Sequence, residues 1–181
     1  MMLLKEIPVI ALVLLLATAS GSTRPLTEAE RDLLAERVAA FEASMRAGDY
    51  GALTGFLPPR LLRHMENEMG MTAEELSSLM ARHAEATFAG VAFESFGYDV
   101  PNAEYHELSN GEPYAFVPTE AVVDGGDKGR LRVQSHALAL LEEGVWYLLR
   151  VNDAQQLTVL RRLYPDFDGV EFPRGSMEAL K

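Results

Sequence analysis

Near residue 91 the chain changes periodicity, and that change bounds every fold it can adopt. Upstream, apolar side chains recur every three or four residues, the spacing of one helix face. Downstream they alternate, and β-branched and aromatic residues fill short runs separated by turns. Helices followed by strands, rather than interleaved with them, imply an α+β domain built on an antiparallel sheet.

The helical half is clearly punctuated. Thr27-Glu28-Ala29-Glu30 and Thr72-Ala73-Glu74-Glu75 are capping-box patterns, in which a Thr hydroxyl and a Glu three residues on each satisfy an orphan backbone donor. From the first box, Leu34, Val38, Phe41 and Met45 form one apolar stripe, and Gly48 supplies the left-handed residue that ends it. Asp49 caps a short second helix bearing Tyr50, Leu53, Phe56 and Leu57, which Pro58 interrupts. Pro59 suits the first turn of a third helix, with Leu61, Leu62, Met65 and Met69 on its buried face and Gly70 at its end. The fourth carries Leu76, Leu79, Met80, His83 and Thr87 on its stripe and stops near Gly90.

The alternating half reads as strands at 91–99, 103–108, 113–123, 130–141 and 145–151. Turn residues separate them at Pro101-Asn102, Asn110-Gly111, Gly125-Gly126 and Glu142-Glu143-Gly144. Connections this short predict an antiparallel meander. A strand of twelve residues at 130–141 predicts a strongly curved or bulged sheet. On it Leu131, Val133, Ser135, Ala137, Ala139 and Leu141 point one way, a small apolar face suited to close approach of a helix or ligand. Arg132, Gln134, His136, Leu138 and Leu140 point the other. After Asn152-Asp153 a last helix carries Leu157, Leu160 and Leu163 as far as Pro165. Residues 165–181 read as an irregular tail whose Phe167, Val170 and Phe172 can pack back.

The run Phe41-Glu42-Ala43-Ser44-Met45-Arg46-Ala47-Gly48-Asp49-Tyr50 closes a helix on Gly-Asp-aromatic and leads into a short second helix. Together with the late strand Val145-Trp146-Tyr147-Leu148-Leu149-Arg150-Val151 it resembles the NTF2-like, or cystatin-like cone, superfamily over residues 30–152. The resemblance implies N-terminal helices packed in the concave face of a curved antiparallel sheet of four to five strands, with a C-terminal helix and tail, and a pocket between helices and sheet. Two departures leave the strand order open: the helical stretch 59–88 displaces any early strand, and the tail beyond Leu163 is additional. That superfamily hosts isomerases, dehydratases, carriers and binding modules, so fold alone leaves activity open.

Residues 1–19 read as a signal peptide. Lys5 precedes an uncharged stretch at 7–19, too short for a stable membrane span, and Ala17-Thr18-Ala19 places small residues before a first mature residue at Ser20. Residues 20–26, with Pro25, form a tether, and the domain occupies 27–164. Export to the periplasm or the exterior is the expectation. The absence of cysteine excludes disulfides, thiolate metal sites and a cysteine nucleophile. With 27 acidic and 16 basic residues, a formal net charge of −11, the chain lacks the basic field that nucleic acid requires.

Small inward residues leave room for a pocket, with Phe41, Met45, Tyr50, Ser135, Ala137 and Tyr147 as candidate lining. The alternative is that Phe41, Met45, Phe56, Met80 and Trp146 fill the space. An acid–base isomerase or lyase inside the cone would need a carboxylate and hydroxyl donors. Tyr50, Tyr105, Asp99 and Glu94 are the right types, but their spacing singles none out and no catalytic residue is assigned. Of the histidines, only His106 and His136 have a plausible route to facing one another, with Glu104 or Glu120 as a third ligand. Neither they nor His64 and His83 show metal-ligand spacing, so no metal and no cofactor is expected.

Between His83 and Asp127 stand nine carboxylates and no Lys or Arg, either solvated strand ends or a docking edge for a basic protein. Within this block Asp124-Gly125-Gly126-Asp127 lacks the ligand count of a Ca²⁺ loop. Finally, Arg132, Gln134, His136, Trp146 and Arg150 suggest a self-complementary face for a homodimer, unless a helix from the tail covers it. The expected function is therefore an exported domain that binds a small apolar ligand or an envelope protein.

Overall fold

The computed structural model describes residues 27–89, 91–124 and 129–180. The proposed signal peptide and tether lie outside the described residues, as does most of the Asp124-Gly125-Gly126-Asp127 loop. Both capping boxes form. In helix α1 (Glu28–Ala47) the Glu30 N–H donates to Thr27 Oγ1 at 3.3 Å and the Thr27 N–H donates to Glu30 Oε2 at 2.9 Å. Gly48, at φ +69°, then turns the chain out of the helix. Residues Tyr50–Phe56 wind as a 3-10 helix, capped by Asp49 Oδ1 accepting from the Ala52 N–H. Helices α2 (Pro59–Met69) and α3 (Ala73–Phe88) follow, the latter opening with the same reciprocal pair between Thr72 and Glu75.

Six strands make one curled antiparallel sheet: β1 (Ala92–Tyr98), β2 (Glu104–Glu107), β3 (Pro113–Asp124), β4 (Arg130–Glu142), β5 (Val145–Leu149) and β6 (Ser176–Ala179). The path is β1-β3-β4-β5, which corrects the meander expected from short connections. Strands β1 and β2 lie end to end along the same side of β3, with Tyr98 opposite Thr119 and Glu104 opposite Phe116. The intervening Asp99 to Ala103 form a 3-10 turn, where Pro101 has no N–H to give to a ladder. They bulge from one interrupted edge strand rather than making a hairpin.

Strand β4 is flanked twice on its far side. Residues 138–142 pair with β5 and residues 131–134 with β6, leaving Ser135, His136 and Ala137 between the two ladders. The strand β6 corrects the expectation of a wholly irregular tail. Its entry depends on Gly175, where a Cβ would lie 2.9 Å from the Gln134 carbonyl oxygen.

The sheet is the middle layer of three. On its inner face Leu34 and Val38 of α1 and Phe56 pack with Tyr105, Ala115, Val117, Ala139, Trp146 and Leu148. The long helix thus lies in the concavity, as the family resemblance implied. On the outer face Tyr114, Phe116, Leu138, Leu140 and Leu149 are covered by helix α4 (Ala154–Leu163) through Leu160, and by Tyr164 and Phe167. Helix α4 and the tail therefore cover the apolar part of the outer face. The Tyr164 hydroxyl donates to Glu142 Oε1 at 2.6 Å, tying the end of α4 to the β4–β5 turn. Among the described residues no helix is long and apolar enough to cross a membrane.

Candidate functional site

Where α1, the 3-10 helix Tyr50–Phe56 and α3 meet the half of the sheet carrying β1, the inner face is incompletely filled. A cavity of about 290 Å³ remains there. Its floor is made of small sheet residues, Thr119 and Ala121 on β3 and Ala137 on β4. Phe41 and Met45 of α1, Phe56 and Leu57, and Met80 and Phe88 of α3 form the helical wall. Phe93, Phe96 and Tyr98 of β1 form the opposite wall. Thr119, Tyr98 and Arg150 supply polar side chains, His136 borders the cavity from an outward position of β4, and the lining residues include no Asp or Glu.

The wall of β1 depends on a bulge. A strict strand places residues three apart on opposite faces, yet Phe93 stands opposite Val123 and Phe96 opposite Ala121, both inward positions of β3. The register shift at Glu94 inserts the one residue that brings both rings to the same side. The rings then make a continuous series. Tyr50, Phe88, Phe93, Phe96, Tyr98, Phe41 and Phe56 follow one another with successive centroid separations of 5.7, 5.4, 6.3, 5.5, 5.6 and 5.3 Å. Most of these contacts are edge-to-face, the arrangement favoured by the ring quadrupole.

Glu42 holds the far wall in place without entering the cavity lining. Its Oε1 accepts the Tyr98 N–H at 3.1 Å and its Oε2 pairs with Arg46 at 2.6 Å, so α1 and β1 are joined through one carboxylate. Burial pushes the Tyr98 hydroxyl far above the ordinary phenol range; Arg150 acts against that rise and Glu42 adds to it. Tyr98 is a neutral hydroxyl at any physiological pH.

Of the candidate lining residues, Phe41, Met45 and Ala137 do line this cavity. Tyr50 stands at its edge, tilted against Phe88. Ser135 lies instead between the two ladders of β4, along two broader depressions of about 730 and 740 Å³ that are open at the surface. Tyr147 pairs with Leu140, an outer-face position, and sits near the Arg37 guanidinium rather than in the cavity. Phe88, Phe93, Phe96 and Tyr98 were missed because only the bulge and the packing of α3 bring them together.

The candidate dimer face does not exist as one surface. Arg132, Gln134 and His136 point outward on β4, whereas Trp146 stands opposite Leu141 on the inner face and is 1% exposed. Arg150 follows β5 and turns toward the cavity. The acid–base candidates are dispersed. Tyr105 is inside the core, Asp99 accepts from the Asn102 amide at 2.7 Å, and Glu94 is paired with Arg130. Parts of the acidic edge are neutralised internally, since Glu120 also lies 3.7 Å from Arg132.

The histidines do not assemble either. His106 pairs with Tyr114 and His136 with Pro118, four residues apart on β3, so they do not face one another. His64 is half-buried on α2, and His83 is exposed although it falls on the apolar stripe of α3. Among the described residues no group of three or more metal-ligand side chains forms.

His106 is stacked on Tyr114, with centroids 5.0 Å apart, and burial holds its imidazole below the ordinary value of 6.5 despite the opposing charge of Glu104. The unfolded chain therefore takes up this proton more readily than the folded one. Its contribution to stability is complete above about pH 6.5 and declines as pH falls through that value. His106→Phe is expected to flatten the fall in urea midpoint between pH 7 and pH 5. An unchanged slope would show that this imidazole does not titrate differently on folding.

The fold and cavity together define an α+β domain with an aromatic-walled pocket between helices and sheet. Comparison of the chain with protein-family models, with curated proteins and with solved structures found no match in any of the three.

Proposed function

We propose that this chain is an exported domain of the NTF2-like cone type that holds a small apolar ligand between its helices and the inner face of its sheet. The observation that carries this reading is the uninterrupted aromatic wall around a cavity of about 290 Å³, floored by Ala121 and Ala137. Apolar lining with a few convergent polar groups is the usual make-up of a small-molecule site. The volume lies near the lower end of the range for such pockets, which suits a compact ligand. The helices-first order and the curved sheet around α1 support kinship with the cone superfamily. The leader with Lys5 and Ala17-Thr18-Ala19 supports export, and a mature mass beginning at Ser20 is its check. The acid–base reading has less support, because its candidate carboxylates lie apart and none lines the cavity.

The test is binding of the apolar fluorophore N-phenyl-1-naphthylamine. Enhanced, saturable emission is expected for the native protein. Ala121→Phe, which places a ring on the cavity floor, is expected to weaken binding at least about tenfold, the loss of a well-filled apolar subsite. Undiminished binding by a correctly folded variant would place the dye elsewhere and remove the argument.

A further inference from the structure

Resting on that reading, we propose that the ligand is an amphipathic monoanion whose carboxylate pairs with Arg150 at one end of the cavity while its apolar body lies among the rings of β1 and α1. The distribution of charge around the cavity leads to this. In a chain of net charge −11, the lining residues include one guanidinium and no carboxylate. Of the arginines on β4 and at the end of β5, Arg130 pairs with Glu94 and Arg132 with Glu178. Arg150 has no carboxylate within ion-pairing distance among the described residues.

The guanidinium is nonetheless oriented. Its Nε donates to Asn152 Oδ1 at 3.0 Å, and no acceptor is seen for its Nη groups among the described residues. Arg150 follows the last ladder pair of β5, Leu138 with Leu149, so alternation returns its side chain to the inner face beside Leu148. There it shares the cavity with Thr119 and the Tyr98 hydroxyl, and its charge is felt at that hydroxyl.

Chemistry then selects the ligand. A carboxylate offers paired lone pairs to the planar Nη donors, the geometry in which arginine binds best, and Tyr98 and Thr119 can each donate a further hydrogen bond. A neutral molecule of the same shape would fill the apolar part and leave the guanidinium without a counter-charge. A cationic one would meet Arg150 directly.

Octanoate and 1-octanol, matched in chain length, separate the two halves of the argument in competition with N-phenyl-1-naphthylamine on the full chain. Octanoate is expected to displace the dye at concentrations roughly ten- to a hundredfold lower than octanol, the worth of a charge-assisted pair. Arg150→Gln is expected to reduce the preference for octanoate over octanol by that factor, with octanol measured on the same variant as the reference; Arg150→Lys should retain part of the preference. Because Arg150 is exposed and outside both cores, circular dichroism should confirm that these variants fold. Equal displacement by the two molecules in the native protein, with the dye bound, would overturn the anion and keep the apolar site. A preference for octanoate that survives Arg150→Gln would overturn the role of Arg150. Failure of the dye itself to bind would overturn the site and the anion together.

Discussion

Trp146→Ala is expected to remove about 3–5 kcal/mol of stability, the range for deleting a fully buried large aromatic side chain. Trp146 is 1% exposed and packs in the inner core with Leu34, Val38 and Tyr105. Its backbone carbonyl accepts the Arg37 Nε–H at 2.8 Å, and the same guanidinium donates to the Gly55 carbonyl. The edge strand β5, helix α1 and the 3-10 helix therefore converge on this one position. Alanine would leave a void that small neighbours such as Ala115 and Ala139 cannot close. As the chain has a single tryptophan, the unfolding of this variant must be followed by far-ultraviolet circular dichroism in urea. A loss below about 1 kcal/mol would contradict burial of the indole, since surface substitutions fall in that range.

The second large effect is expected on the other side of the sheet. Phe167 is fully buried, with its ring 5.0 Å from Tyr114, 6.3 Å from Tyr164 and 5.9 Å from Phe172. It clamps the tail to β3. Below it, Arg161 on α4 donates to the carbonyls of Phe167 and Val170, at 3.2 and 2.9 Å. Phe167→Ala is expected to cost about 3–4 kcal/mol, within the range for phenylalanine truncation. It should also act locally, because the segment beyond it touches the sheet through few other buried groups. Trypsin should then cleave at the exposed Arg174 well before global unfolding, while the native protein resists at that bond. Equal cleavage rates in the two proteins would mean that Phe167 does not hold the tail.

These two residues also show what could be read in advance. Both capping boxes, the glycine stop at Gly48 and the bounds of β3 and β4 follow from local chemistry: the hydroxyl three residues before a carboxylate, the absence of a Cβ, and alternation over many residues. Phe167 was recognisable as a residue able to pack back, because a large ring in a tail has no other apolar refuge. Trp146 stood both among the residues that could fill the cone and on the candidate outer face, and the outer placement fails for a definite reason. If Glu142, Glu143 and Gly144 all formed the turn, Val145 would oppose Leu141 and Trp146 would share the outer face with Leu140. The turn instead has two central residues, Glu143 at φ +51° and Gly144 at φ +79°, so Glu142 opposes Val145 and Trp146 opposes Leu141. One residue of register moves every side chain of β5 to the other face. A left-handed Glu in place of the usual Asn or Asp concealed the tight turn.

The cavity was legible only in part. Phe41, Met45 and Ala137 follow from stripes and alternation, but the opposite wall required the bulge at Glu94, which no spacing of Phe93 and Phe96 announces. What this sequence determines by itself is the identity of its elements from α1 to α4: which stretches coil, which extend, and that three helices precede the main strands. Those properties arise within a few residues of backbone and side chain. Only the tertiary structure decided that β1 and β2 share one edge, that α4 and the tail occupy the outer face, and that Arg150, with no carboxylate partner among the described residues, lines an aromatic pocket. These depend on register and on contacts between residues far apart in the chain, where a one-residue shift costs little locally and reverses the face that is buried.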